Sequence, residues 1–250
     1  MIKIAAIVPA YNEEKTIATV VNDIKHIAMS SSWTIDVIVV NDCSKDATET
    51  IITHLDCIVL NLPINLGIGG AVQTGFKYAF EKNYDYAIQV DGDGQHPANE
   101  IPKLIDTAMQ HQYDVVIGSR FIMNKGFQSS AIRRFGIHYF KKLNKLLIGK
   151  TIYDSTSGFR LINKKVLSIV NEIYPDEYPE PEAIILYALN HLKIGEVAVE
   201  MKERQGGVSS IGFTSSIYYM FKVTLAIIYT FIRIKFSFIS RIGAENAKEI

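Results

Sequence analysis

Cysteine is scarce in this 250-residue chain. The only two, Cys43 and Cys57, fit neither a disulfide framework nor a metal-binding spacing. A reducing compartment is the simplest setting for such usage. Charge of one sign is not in excess either: 26 Lys and Arg face 26 Asp and Glu, so formal net charge is zero and no electrostatic footprint for nucleic acid is present. No internal repeat and no low-complexity segment interrupts the chain. Met1-Ile2-Lys3-Ile4 enters a strand at once, without the pattern of a signal peptide. Gly67 and Gly69-Gly70 do not match a P-loop or a dinucleotide fingerprint. What remains is a composition that builds a core, with 48% hydrophobic and 21% charged residues. The length suits one large domain or two small ones.

Apolar runs alternate with helical patterns from the start. Ile2 to Val8, Thr34 to Val40, Cys57 to Leu60, Tyr86 to Val90 and Tyr113 to Gly118 read as strands, and most open into polar loops that precede helices. That alternation predicts a Rossmann-like, mostly parallel sheet flanked by helices. Asn12 and Asp46 are placed to cap the helices after the first two strands. A helix is expected to run from the first loop to about Ala28, and another from Ala98 to Gln110. Gly67 and Gly69-Gly70 suit close packing of a helix on a strand better than a phosphate cradle. Phe159 to Ile162 reads as a short strand, Ala183 to His191 as a helix, and Gly195 to Met201 as an edge or mixed strand.

The chemistry concentrates at one strand end, Ile88-Gln89-Val90-Asp91-Gly92-Asp93-Gly94-Gln95-His96-Pro97. Open α/β sheets place ligands at the carboxyl ends of their strands. Two aspartates one residue apart repel each other unless a cation sits between them. Oxygen donors of this kind suit Mg²⁺ or Mn²⁺, which bridge carboxylates and substrate phosphates. The same residues also suit an ordinary polar turn, so the surrounding motifs decide. Asp42 stands at the tip of the second strand, where it can accept hydrogen bonds from a base or ribose, while Cys43 reads as a small filler. Arg120 and one of Arg133-Arg134 are phosphate candidates because guanidinium binds phosphate in a bidentate manner. Arg204 beside Gly206-Gly207 and Ser209-Ser210 reads as a lid closing on a diphosphate. Tyr178-Pro179-Glu180-Pro181-Glu182 gathers acids ahead of a helix, where they serve the helix dipole or face a pocket.

Ile7-Val8-Pro9-Ala10-Tyr11-Asn12-Glu13-Glu14, Val40-Asn41-Asp42-Cys43-Ser44-Lys45-Asp46, Asp91 to Pro97, Thr156-Ser157-Gly158-Phe159-Arg160 and Arg204 to Ser209 occur in one order across nearly the whole chain. In that arrangement the chain resembles the family 2 inverting glycosyltransferases of the GT-A fold, and most of all their dolichol-phosphate mannose synthase and polyprenyl-phosphate glycosyltransferase branch. The resemblance implies that Pro9, Tyr11, Glu13 and Asp42 hold the nucleoside. It implies that Asp91 and Asp93, with Gly92 between them, form the DxD motif. Asp93 and Gln95, with Asp91, would reach a Mg²⁺ or Mn²⁺ ion, and Asp91 the nucleotide. Arg120, Arg133 and Arg204, with Ser209, would meet the donor diphosphate or an acceptor phosphate. Members of the family often read Val-Asp-Asp-Gly-Ser where this chain has Asn41 and Cys43. They carry a lysine after the loop serine where this chain has Ser210.

The expected reaction is transfer of a sugar, with inversion, from a UDP- or GDP-linked donor to a polyprenyl-phosphate acceptor. The alternative is a saccharide or other hydroxyl acceptor in cell-surface polysaccharide synthesis. A hydroxyl needs a general base, for which Glu180 and Glu182 are the candidates, whereas a phosphate is already an anion. A sugar-nucleotide pyrophosphorylase would want a glycine-rich loop where Pro9-Ala10-Tyr11-Asn12-Glu13 stands, and a non-catalytic binding module would have no use for both aspartates. Residues 1–210 are read as the catalytic domain and 211–250 as an apolar helix and tail. Ile217 to Ile232 is apolar but contains Lys222, which ranks docking at a membrane interface first, a homo-oligomer contact second and a span third. The expected location is the cytoplasmic face of a membrane.

Overall fold

The computed structural model describes residues 1–29, 33–123, 131–175, 179–202 and 213–246, without side chains at 131–135, 213–217, 219 and 237–246. The described strands are β1 (Lys3–Ala10), β2 (Thr34–Asn41), β3 (Ile58–Asn61), β4 (Tyr86–Gln89), β5 (Val115–Ser119), β6 (Arg160–Asn163) and β7 (Ile194–Ala198). They form one sheet in the order β3-β2-β1-β4-β6-β5-β7. The described helices are α1 (Ile17–Met29), α2 (Thr48–Ile52), α3 (Gly67–Glu81), α4 (Ile101–His111), α5 (Ala131–Ile148), α6 (Lys164–Glu172), α7 (Pro179–Leu189) and α8 (Phe213–Asn246).

The sheet is parallel except for β6, which runs antiparallel to both β4 and β5. Helices cover both faces, so a central strand is apolar along its whole length. In β1, Ile4, Ala6 and Val8 join the core under α1 and α4. Their neighbours Ala5 and Ile7 join the core under α3, α6 and α7. This is the two-residue period of a strand buried on both sides. The expected mostly parallel sheet is therefore present, with one reversed strand that matters below.

Several local expectations change. Asn12 does not cap α1, which begins at Ile17; its backbone is left-handed (φ 57°) and its Oδ1 accepts from Lys45 N at 2.8 Å. Asp46 is not the cap of α2 either, a place taken by Ala47, although its Oδ1 accepts from Thr48 N at 3.0 Å. The close helix–strand contact is made at Gly75, where a Cβ would lie 2.2 Å from Ile7 Cγ2, while Gly67 instead supplies a left-handed turn (φ 76°). Strand β4 stops at Gln89 rather than Val90, and α7 begins at Pro179 rather than Ala183. Proline at the first positions of a helix removes no needed donor, which is why Pro179 and Pro181 sit in its opening turn.

Cys43 sits at φ 59°. A left-handed L-residue is strained by roughly 1–2 kcal/mol, and glycine relieves this at some entropic cost to the unfolded chain. Cys43→Gly is expected to raise stability by about 0.5 kcal/mol, after that cost is subtracted. The urea midpoint should rise at unchanged slope; a lower midpoint would show that the Cβ position is not strained.

Candidate active site at the sheet switch point

The chain runs outward from β1 to β3, then returns through α3 to add β4 on the other side of β1. Such a reversal opens a crevice at the carboxyl ends of β1 and β4. Because β6 is antiparallel, its starting end lies at this same edge, so the loop 154–159 is delivered to the crevice alongside those of β1, β2, β4 and β5.

The loops after β1 and β2 lock together. Asn12 N donates to Ser44 Oγ (3.1 Å), Glu13 N to Thr48 Oγ1 (2.8 Å) and Glu14 N to Asp46 Oδ2 (3.2 Å). In return Ala47 N donates to Glu14 Oε2 (3.0 Å). Tyr11 is left exposed on this ridge. Asp42 is buried, and its carboxylate accepts from Leu66 N (2.7 Å) and Gly67 N (2.9 Å). Its visible task is to fasten the loop ahead of α3, a partner the sequence did not suggest. Asn41 bonds Asn61 Oδ1 (2.9 Å) and Ser44 N, fixing the same corner.

Gly92 lies under Pro9 and Glu13: a Cβ there would be 3.0 Å from the Pro9 carbonyl oxygen and 3.5 Å from Glu13 Cγ. The structure thus brings Pro9, Glu13 and the two aspartates together. Asp91 is held from three sides. Gln89 Nε2 donates to its Oδ1 (2.9 Å). Its backbone N donates to His96 Nδ1 (3.0 Å), so the imidazole proton is on Nε2, 3.7 Å from Asp91 Oδ2. His96 is buried and stacked on Phe159 at 4.9 Å. On the third side is Gly158, where a Cβ would meet Gln89 Nε2 at 2.6 Å and both Asp91 oxygens at 3.4 Å. Asp93 is 2% exposed and accepts from Gln95 N (3.0 Å). Gln89, His96 and Gly158 went unread as site residues. All three lie within the sequence motifs, but the contacts of His96 and Gly158 with Asp91 form only in the fold.

Arg120 departs from expectation. It is buried and forked onto Asp154 through Nε and Nη2, both at 2.7 Å, and Asp154 Oδ2 also accepts from Arg120 N. A guanidinium satisfied by a fully buried carboxylate is not an open arm for a phosphate. Arg160, also buried, ties the loop by donating to Ser157 O (2.7 Å) and Ser155 O (2.9 Å). Glu196 holds the loop from the other side through Tyr153 N and Asp154 N.

The two glutamates of α7 separate. Two residues apart on a helix, they face opposite ways. Glu180 is half-buried, and burial pushes its carboxyl above the usual range; Arg160 acts against that shift, Asp91 adds to it and Arg120 opposes it. Glu182 instead accepts from Thr230 Oγ1 of α8 at 3.1 Å. Its carboxylate thus helps seat α8. Arg204 and Ser209 lie outside the described residues, as does the side chain of Arg133.

A switch-point crevice with paired aspartates, with a reversed strand feeding its floor, is the architecture of the GT-A fold. Residues 5–169 match the model of glycosyl transferase family 2, and the chain belongs to that family. The chain is 33% identical over 214 residues to the UDP-N-acetylglucosamine–dolichyl-phosphate N-acetylglucosaminyltransferase of Methanococcus voltae, covering 78% of this chain and 83% of that one. It is 26% identical to the polyprenol monophosphomannose synthase of Mycolicibacterium smegmatis, over 87% of this chain and 84% of that one. Among solved structures it is similar in fold to glucosyl-3-phosphoglycerate synthase from Mycobacterium tuberculosis in complex with Mn²⁺, UDP-glucose and phosphoglyceric acid. That likeness has a TM-score of 0.70 at 15% identity, covering 92% of this chain and 79% of that one.

Proposed function

We propose that this chain transfers a sugar from a nucleotide-diphosphate donor to a polyprenyl phosphate at the cytoplasmic face of a membrane, with inversion at the anomeric carbon. The observation that carries it is the clamped Asp91 beside buried Asp93 at the switch point. The relatives named for dolichyl-phosphate and polyprenol substrates support the lipid acceptor. The free cysteines suit a reducing compartment.

Pro9, Tyr11 and Glu13 would line the nucleoside, with Asp42 acting through the loop it fastens. Asp91, Asp93 and Gln95 offer hard oxygen donors fit for Mg²⁺ or Mn²⁺. Among the described residues no group of three His, Cys, Asp or Glu side chains could hold a metal unaided. That donor set suits an ion that takes its remaining ligands from phosphates. Such an ion would neutralise charge on the departing diphosphate. Arg133, Arg204 and Ser209 would add donors to the phosphates. Residues 1–210 are the catalytic part in this reading, and 211–250 attach it to the membrane.

A second reading, a hydroxyl acceptor, is favoured by one feature: burial holds the Glu180 carboxyl above the usual range, and the charge of Asp91 adds to that shift. The test offers a polyprenyl phosphate and a saccharide to the wild type, Glu180→Gln and Glu182→Gln. With a lipid-phosphate acceptor, Glu180→Gln should change turnover by less than about tenfold. A loss on the order of 10²–10⁴-fold would mark Glu180 as the base for a hydroxyl. Glu182→Gln should leave turnover at the wild-type level in both cases. Absence of transfer to either acceptor from UDP- and GDP-linked donors would sink the proposal.

A further inference from the structure

We propose that the outward face of α8 docks flat on an anionic lipid surface. The proposal rests on the lipid-acceptor reading for its purpose, but on α8 itself for its evidence. The inward face of α8 is fixed by packing and by hydroxyls. Val223 and Ile227 are fully buried against Phe140 of α5 and Ile185 of α7. Thr224 Oγ1 bonds Tyr139 OH (3.1 Å), and Thr230 bonds Glu182. These contacts set the rotation of the helix and so decide what points away.

What points away is apolar. Phe221 (62%), Leu225 (51%), Tyr229 (64%), Ile232 (46%) and Phe236 (67%) are exposed at helical spacing. With Tyr218 ahead of them, the stripe is about 27 Å long at the rise of an α-helix. Soluble monomers rarely leave so continuous a patch open.

The charges at its margins select the occupant. Lys222 lies over the Tyr218 ring at 5.3 Å, Arg233 over Tyr229 at 5.9 Å and Lys235 over Phe231 at 5.0 Å. From Phe213 to Gly243 the sequence contains no acid. Amphipathic cations flanking aromatic rings suit the headgroup level of an anionic bilayer. An isologous contact with a second copy would set these cations against each other with no acid between Phe213 and Gly243 to compensate. A span is excluded by the same contacts: one face of α8 is already committed to protein, and no helix is long and apolar enough to cross a membrane among the described residues. Docking in this pose has a consequence for the site. Helix α7 lies between, with Glu182 bonded to Thr230 of α8 and Glu180 near enough to Asp91 to feel its charge. The membrane surface would therefore set the height of the crevice above the bilayer.

The experiment is co-sedimentation of the full chain with phosphatidylcholine vesicles, with and without phosphatidylglycerol, over a salt series. Binding is expected only with the anionic lipid, falling with salt. It should weaken about fivefold for each of Lys222→Gln, Arg233→Gln and Lys235→Gln, and also for Leu225→Ser. Equal binding to both vesicles, or binding to neither, overturns the proposal. So does a dimer in sedimentation velocity that Leu225→Ser dissociates in the absence of vesicle binding. Nucleotide calorimetry on the same variants separates the two readings. Unchanged affinity shows an intact crevice, whereas a wild type that binds vesicles but no nucleotide would sink the transferase reading and leave the docking surface standing.

Discussion

Asp93→Asn is expected to lower sugar transfer on the order of 10³-fold while leaving the protein folded. The substitution is chosen for its economy. Asp93 is buried and its Oδ1 accepts from Gln95 N. An asparagine carbonyl keeps that bond, so the turn survives and only the charge is lost. With the charge go half of the paired aspartates and the hard donor that a divalent ion prefers. Titration of UDP and GDP into wild type and variant, with and without Mn²⁺, gives the second readout. In the wild type one nucleotide should bind more tightly with the metal, and in Asp93→Asn that increment should vanish while metal-free binding persists. An increment that survives would move the metal away from Asp93 and leave it a structural role beside Gln95.

The prominence of Asp93 was legible in the sequence, because a buried strand runs into Asp-Gly-Asp and the motifs around it tell against an ordinary polar turn. The mostly parallel sheet was legible from five apolar runs alternating with helical patterns, whereas the order β3-β2-β1-β4-β6-β5-β7 was not. Other features depended on what the fold brings together. Arg120 and Asp154 are 34 residues apart and meet because β6 runs backward, which nothing in its four residues announces. Glu180 and Glu182 look equivalent in Pro-Glu-Pro-Glu until the first turn of α7 points them to opposite sides. Asp42 looked like a ligand-facing acid because of its place at a strand tip. Its two bonds to Leu66 N and Gly67 N depend on where the α3 loop returns. Gly158 lay inside a quoted motif, but its role as the floor under Asp91 requires knowing that Gln89 and Asp91 lie above it.

Asp154→Ala is expected to be the most destabilising single change at the site, costing about 3–5 kcal/mol. For a protein of this size that lowers Tm on the order of 10 °C. The reason is the state it leaves behind. Asp154 is fully buried, and Arg120 would keep its charge in the same buried place without the carboxylate that answers Nε and Nη2. The pair itself is not expected to be worth that much. Desolvating both charges offsets most of their attraction, so an apolar pair of similar volume is often neutral. The double variant Arg120→Met/Asp154→Leu should therefore recover most of the lost stability, read as the urea midpoint. Its activity is the informative quantity. If Arg120 only braces the loop 154–159, the double variant should regain turnover together with stability, since Gly158 and Asp91 would be back in register. If Arg120 also leaves Asp154 for a phosphate during the reaction, stability returns and transfer does not. Single and double variants that are both as stable as the wild type would mean that the loop is held by Glu196 and Arg160, with the Arg120–Asp154 pair contributing little.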